Sequence, residues 1–184
     1  MTSPTIESAY RHCEQLARSH YENFPVASWL LPRRIRRPIA VIYAFARNAD
    51  DFADEGNHTT EQRLALLQGY SEKLQRLERR ESSEDAVFVA LADVIAKHKL
   101  PLQLFHDLLS AFAQDVTTKH YHDFDQLLDY CRRSANPVGR LMLHLTGYDS
   151  EENLLLSDKI CSSLQLINFY QDLAQDFDEN ERIY

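Results

Sequence analysis

The 184-residue sequence predicts an all-α fold, an antiparallel bundle of helices forming one domain over 1–184. Three observations carry this. Apolar residues recur at spacings of three and four along nearly the whole chain, the period of an amphipathic helix. No stretch alternates apolar and polar side chains in the manner of a half-buried strand. Only four residues are Gly and six are Pro, too few turn-formers for a many-stranded sandwich or barrel.

The elements follow in order. Ile6, Tyr10, Cys13, Ala17, Tyr21 and Phe24 mark the first helix, with Ser3-Pro4 as its start and Pro25 and Pro32 as its break. A basic connector, Arg33 to Arg37, leads to Pro38, a good first-turn residue for a second helix over 38–55. Thr59 and Gln62 form a capping box for a third, with Leu64, Leu67, Leu74 and Leu77 on one face. The fourth is 87–98. Pro101 opens the fifth, whose apolar face is Leu102, Phe105, Leu109, Phe112 and Val116. The sixth spans 125–145 and bends at Pro137 or Gly139. Gly147 stops it, and a long seventh runs over 151–178.

Composition excludes several functions. Lys and Arg number 20 against 28 Asp and Glu, for a net charge of −8, a poor match to nucleic acid, whose phosphates need a basic face. No G-x-G-x-x-G or Walker A run offers a phosphate loop. Cys13, Cys131 and Cys161 are too few and scattered for a disulfide framework or structural zinc, which favours a reducing cytosol. The eight histidines lack metal-ligand spacing, and Ser28 and Cys131 lack a general-base arrangement. No stretch is long and apolar enough to span a bilayer, which leaves peripheral membrane contact open.

Two helices carry polar stripes. In the second, Tyr43, Arg47, Asp50 and Asp54 sit at offsets 0, 4, 7 and 11, with Asp51 and Glu55 beside them. At ~100° per residue an offset of eleven returns to within roughly 20° of the start, so the four share a face. The rest of this helix is apolar, and carboxylates four apart repel each other. A cation would relieve that. In the seventh, Gln165, Asn168, Asp172 and Asp176 repeat the pattern among apolar neighbours. Alone, an Asp-x-x-x-Asp is commonly a solvated face, Tyr43 and Tyr130 read as core tyrosines, and Arg47 reads as a surface ion pair. Two matched stripes are more specific. Facing each other, they would bring carboxylates and an amide oxygen into one apolar-walled space. Oxygen-only donors suit Mg²⁺, which keeps waters or takes phosphate oxygens to complete its octahedron.

Tyr43 to Glu55 (Y-A-F-A-R-N-A-D-D-F-A-D-E) resembles the first aspartate-rich motif of the squalene/phytoene synthase family. Gln165 to Tyr184 resembles the second, and Asp129 to Gly139 (D-Y-C-R-R-S-A-N-P-V-G) resembles the segment between them. The run His20 to Pro32, followed by R-R-P-I-A-V-I-Y, is similar to the bacterial hopanoid branch, which turns presqualene diphosphate into hydroxysqualene. The resemblance implies an isoprenoid-synthase-type bundle acting on a prenyl diphosphate, presqualene or farnesyl, with squalene or phytoene formation as the alternative. It implies Mg²⁺ held by Asp50, Asp54, Asn168, Asp172 and Asp176. It places Arg47, Asp51 and Asn168 at the diphosphate, and Tyr43, Arg47, Tyr130 and Gln165 at the reacting centre.

The sequence departs from many relatives at Tyr21-Glu22-Asn23 and at Gln171, both consistent with a branch that binds its diphosphate differently. It stops at Tyr184, directly after the second motif, where family chains continue through further helices. A non-catalytic helical fragment or interaction protein is therefore the other reading. With those helices lacking, Leu164, Ile167, Phe169 and Leu173 cannot all be buried. The expectation is an exposed apolar seventh helix through which the chain either self-associates or is poorly soluble.

Overall fold

A computed structural model describes residues 5–19 and 31–180, with side chains described up to 173. It contains eight helices and no strand among the described residues: α1 (Ile6–Ser19), α2 (Arg33–Asp54), α3 (Thr60–Glu78), α4 (Ala86–His98), α5 (Leu102–Thr117), α6 (Phe124–Ser134), α7 (Asn136–Thr146) and α8 (Glu151–Asn180). The expected Ser3-Pro4 start and the run from His20 through Leu30 lie outside the described residues. Within them, Thr5 Oγ1 accepts from the Ser8 amide at 3.2 Å and caps α1.

Two boundaries differ from expectation. The basic connector is helical: α2 begins at Arg33 and keeps Pro38 inside. Proline there removes one backbone hydrogen bond, yet tertiary contacts hold the turn before it. Ile35, Pro38 and Ile39 are buried. Arg37 donates to both Glu7 carboxylate oxygens at 2.9 and 3.1 Å and lies 4.5 Å over the Tyr10 ring. The second difference is the sixth predicted helix, which breaks rather than bends. Ala135 separates α6 from α7, and Pro137 falls in the first turn of α7, where its missing N–H is harmless.

Other ends match their sequence signals. Both hydrogen bonds of the Thr59–Gln62 capping box are present. Ser150 Oγ accepts from the Asn153 amide at 3.3 Å and starts α8. Gly147, at φ 78°, adopts the left-handed conformation that ends α7, while the Tyr148 amide bonds Leu143 O at 3.0 Å.

The main core is built around Phe45 of α2. Its ring lies 5.2 Å from Tyr70 on α3, 5.9 Å from Phe88 on α4 and 5.3 Å from Phe105 on α5. A smaller cluster joins Ala111, Leu127, Tyr130, Cys131 and Phe169. It ties α8 to α5 and α6. Against α7, α8 is fastened by the fork of Arg140 on Asp158, at 2.8 and 2.5 Å, and by Ser162 Oγ donating to the buried Asn136 Oδ1 at 2.9 Å. Gly139 allows the close approach: a Cβ there would collide with Ser157 Oγ and Cys161 Sγ of α8.

Candidate active site

The C-terminal turns of α2 and the later turns of α8 wall one cleft of about 350 Å³. Asp50 and Asp54 come from α2, and Gln165, Asn168 and Asp172 from α8. The heptad-like spacing on each helix explains this, since offsets of three, four and seven keep these side chains on one face. Between the two walls, α5 contributes Phe112 and Asp115, and α6 contributes Tyr130 and Ser134. Phe169 closes the apolar side, its ring 5.8 Å from that of Tyr130.

Asp50, Asp54, Tyr130, Gln165, Asn168 and Asp172 are thus brought together from separate sequence segments. The side chain of Asp176 lies outside the described residues. Three other candidates sit beside the cleft rather than in its lining. Tyr43 packs against the main core. Arg47 is engaged along its own helix, pairing with Asp50 at 3.2 Å, Asp51 at 2.7 Å and Glu55 at 2.5 Å. Asp51 is held on that guanidinium, to the side. The like-charge crowding that the sequence assigned to a bound cation is therefore relieved in part from within the helix.

Part of the crowding remains. Burial, reinforced by the neighbouring Asp54 charge and opposed by Arg47, pushes the Asp50 carboxyl up to about 6. Added positive charge in the cleft would favour its ionised form. The polar lining offers oxygen donors from carboxylates, amides and hydroxyls. Among the described residues no three acidic, His or Cys side chains converge closely enough to hold an ion alone. Such a donor set fits a hard cation that keeps waters or takes oxygens from a bound diphosphate, as Mg²⁺ does.

Asp115 and Ser134 lie in the lining although neither stripe contains them. Tyr130 donates its phenol hydrogen to Asp115 Oδ2 at 2.7 Å. One signal pointed to Asp115: a carboxylate three residues beyond Phe112, on a helix whose other inward residues are apolar. Of the four apolar residues of the last helix that could not all be buried, Phe169 is buried at 6% exposure, because the Tyr130 ring and Leu127 receive it, while Leu164, Ile167 and Leu173 are exposed.

A family-wide sequence profile for squalene/phytoene synthases matches residues 17–184. A hydroxysqualene synthase of Zymomonas mobilis subsp. mobilis is 40% identical over 166 residues, covering 89% of this chain and 54% of the relative. A phytoene synthase of Mycobacterium tuberculosis is 34% identical over 179 residues, covering 97% and 58%. The crystal structure of squalene synthase HpnC from Alicyclobacillus acidocaldarius superposes with a TM-score of 0.88 at 39% identity, covering 97% of this chain and 66% of that one. The chain spans about half the length of the curated relatives it matches. With the profile matched over nearly its whole length and the helical fold shared, the chain belongs to the squalene/phytoene synthase family.

Proposed function

We propose that the cleft is the diphosphate site of an enzyme converting presqualene diphosphate to hydroxysqualene. The observation that carries this is the meeting of Asp50 and Asp54 from α2 with Asn168 and Asp172 from α8 in one cleft with aromatic walls. The hydroxysqualene synthases among the relatives support the choice of reaction. Mg²⁺ held by Asp50, Asp54, Asn168, Asp172 and Asp176 would supply Lewis-acid stabilisation of the departing diphosphate.

The chain's own residues do the rest. Arg47 gathers Asp50, Asp51 and Glu55, which sets the end of α2 and offsets part of their negative charge beside the diphosphate. Phe112, Tyr130 and Phe169 present ring surfaces, whose negative faces stabilise a developing carbocation and whose bulk limits water. Asp115 holds the Tyr130 phenol in one orientation. Gln165 and Tyr43 complete the reacting side in this reading. An apolar substrate and product would suit peripheral contact with a membrane surface from the cytoplasmic side. Among the described residues no helix is long and apolar enough to cross one.

Head-to-head joining of two prenyl diphosphates is the second reading, favoured by the phytoene synthase match over 97% of the chain. Mass spectrometry of products separates them. Hydroxysqualene from presqualene diphosphate, with none from farnesyl diphosphate alone, supports the first. Squalene or phytoene from the simple diphosphates supports the second. No Mg²⁺-dependent product from any of these substrates would refute both.

A further inference from the structure

Arg63 on α3 stands outside the cleft lining, yet it holds the end of α2 that carries Asp50 and Asp54. Its Nη1 donates to Ala53 O at 2.7 Å, to Glu55 O at 3.1 Å and, at the long distance of 3.4 Å, to Phe52 O. Its Nη2 donates to Gly56 O at 3.0 Å. The last four carbonyls of a helix have no partner within it. In α2 the Glu55 amide takes Asp51 O at 2.9 Å, and Arg63 takes those of Phe52 and Ala53.

That end is electrostatically unfavourable. Aligned carbonyls leave partial negative charge at a helix C-terminus, where further anions are repelled. Asp50, Asp51, Asp54 and Glu55 all lie there, and the last turn has no basic residue of its own. Arg47, one turn earlier, engages Asp50, Asp51 and Glu55 through their carboxylates. Arg63 arrives from the neighbouring helix and engages the backbone instead. Its own position is fixed by the Thr59–Gln62 capping box, with its amide bonded to Thr59 O at 3.0 Å. One guanidinium thus offsets the side chains and the other the carbonyls beneath them.

We infer that Arg63 is a positioning residue for Asp54. It fixes the backbone of the last turn of α2 and offsets its negative pole. That keeps the Asp54 carboxylate in the cleft that Asp172 also lines, against the repulsion and end fraying that would release it. The inference rests on the diphosphate reading of the cleft and extends it to a residue that does not touch the ligand.

Amide hydrogen exchange of the intact chain, with calorimetric titration of inorganic diphosphate in the presence of Mg²⁺, tests this. Arg63→Gln keeps a polar side chain that cannot span the four carbonyls. It should speed exchange at the amides of residues 53–55 by about tenfold or more, and leave those of residues 39–45 unchanged. It should also weaken diphosphate binding by about 10- to 100-fold, as loss of an outer partner of a metal ligand does. Arg63→Lys, which keeps the charge, should recover part of that loss. Lys73→Gln removes a cation from the same helix, one that pairs with Asp85 away from the cleft, and should change neither measurement. Unchanged exchange in Arg63→Gln would overturn the inference. So would faster exchange with undiminished binding, the result a merely structural cap gives, or an equal loss of binding in Lys73→Gln. A wild-type chain that binds no diphosphate with Mg²⁺ would overturn the site itself and the positioning role with it, whereas failure confined to the Arg63 variants overturns the positioning role alone.

Discussion

Tyr130 on α6 donates to Asp115 Oδ2 on α5 at 2.7 Å, inside the cleft whose walls carry the aspartates of α2 and α8. Hydrogen bonds to a charged partner contribute about 1.5–3 kcal/mol, more than neutral ones. Tyr130→Phe should therefore destabilise the chain by about 1.5–3 kcal/mol in urea unfolding. Asp115→Asn, which keeps an acceptor oxygen, should cost less. Equal losses from the two substitutions would show that the carboxylate charge, rather than the phenol's hydrogen bond, dominates.

Gly139 sets how closely α8 lies on α7. Alanine there meets Ser157 and Cys161 side chains, and α8 must shift outward to admit it. Overpacking of this kind costs about 1–3 kcal/mol. Gly139→Ala should lower the urea midpoint accordingly. Because Gln165, Asn168 and Asp172 ride on α8, it should also weaken the proposed Mg²⁺-dependent diphosphate binding. An unchanged midpoint would show that the two helices are not in close contact in solution.

Asp93 links α4 to α1. Burial alone would raise its carboxyl, but hydrogen bonds from Lys97 at 2.8 Å and Tyr10 at 2.7 Å outweigh that and hold it below the ordinary carboxylate range. A depressed folded-state value contributes stability that is present above the unfolded value, about 3.9, and is lost as pH falls through the folded one. Asp93→Asn should therefore lower the melting temperature near neutral pH and narrow its gap to the wild type on acidification. A gap that stays constant from pH 7 to pH 3 would remove Asp93 from the acid response.

Periodicity made most of the helices legible. The third helix was marked by its capping box, and the last by two stretches of apolar residues around an offset polar stripe. What periodicity could not supply was tertiary context. Arg33 to Arg37 reads as a connector until Glu7, Glu14 and the Tyr10 ring are placed beside Arg37. Pro137 signals an interruption but not whether the helix bends or restarts. In the site, paired spacing located Asp50, Asp54, Asn168 and Asp172, because each pair lies on one helix. Asp115 and Ser134 come from different helices, each about one turn from a cleft-lining aromatic, Phe112 or Tyr130, rather than from a second member of an acidic stripe. Their place in the cleft depends on how α5 and α6 pack. Arg47 shows the converse: its position on the stripe was readable, but its engagement by Asp51 and Glu55 depends on rotamers.

The last turns of α2 and the face of α8 should also separate binding from folding. Asp54 and Asp172 are exposed, so neither carboxylate is required by the core. Asp54→Asn and Asp172→Asn should each keep the wild-type melting temperature within a degree or two, as surface changes do. On the proposed reading, each should abolish Mg²⁺-dependent turnover of presqualene diphosphate. Normal turnover by either variant at limiting Mg²⁺ would remove that aspartate from the diphosphate site.

The central claim is that these two aspartates, from helices far apart in sequence, act on one metal-bridged diphosphate. Calorimetric titration with a farnesyl thiodiphosphate, with and without Mg²⁺, tests it through a double-mutant cycle on Asp54→Asn and Asp172→Asn. The account predicts binding that requires Mg²⁺, a large loss in either single variant, and little further loss in the double. Binding that is independent of Mg²⁺, or losses that simply add, would contradict a shared site.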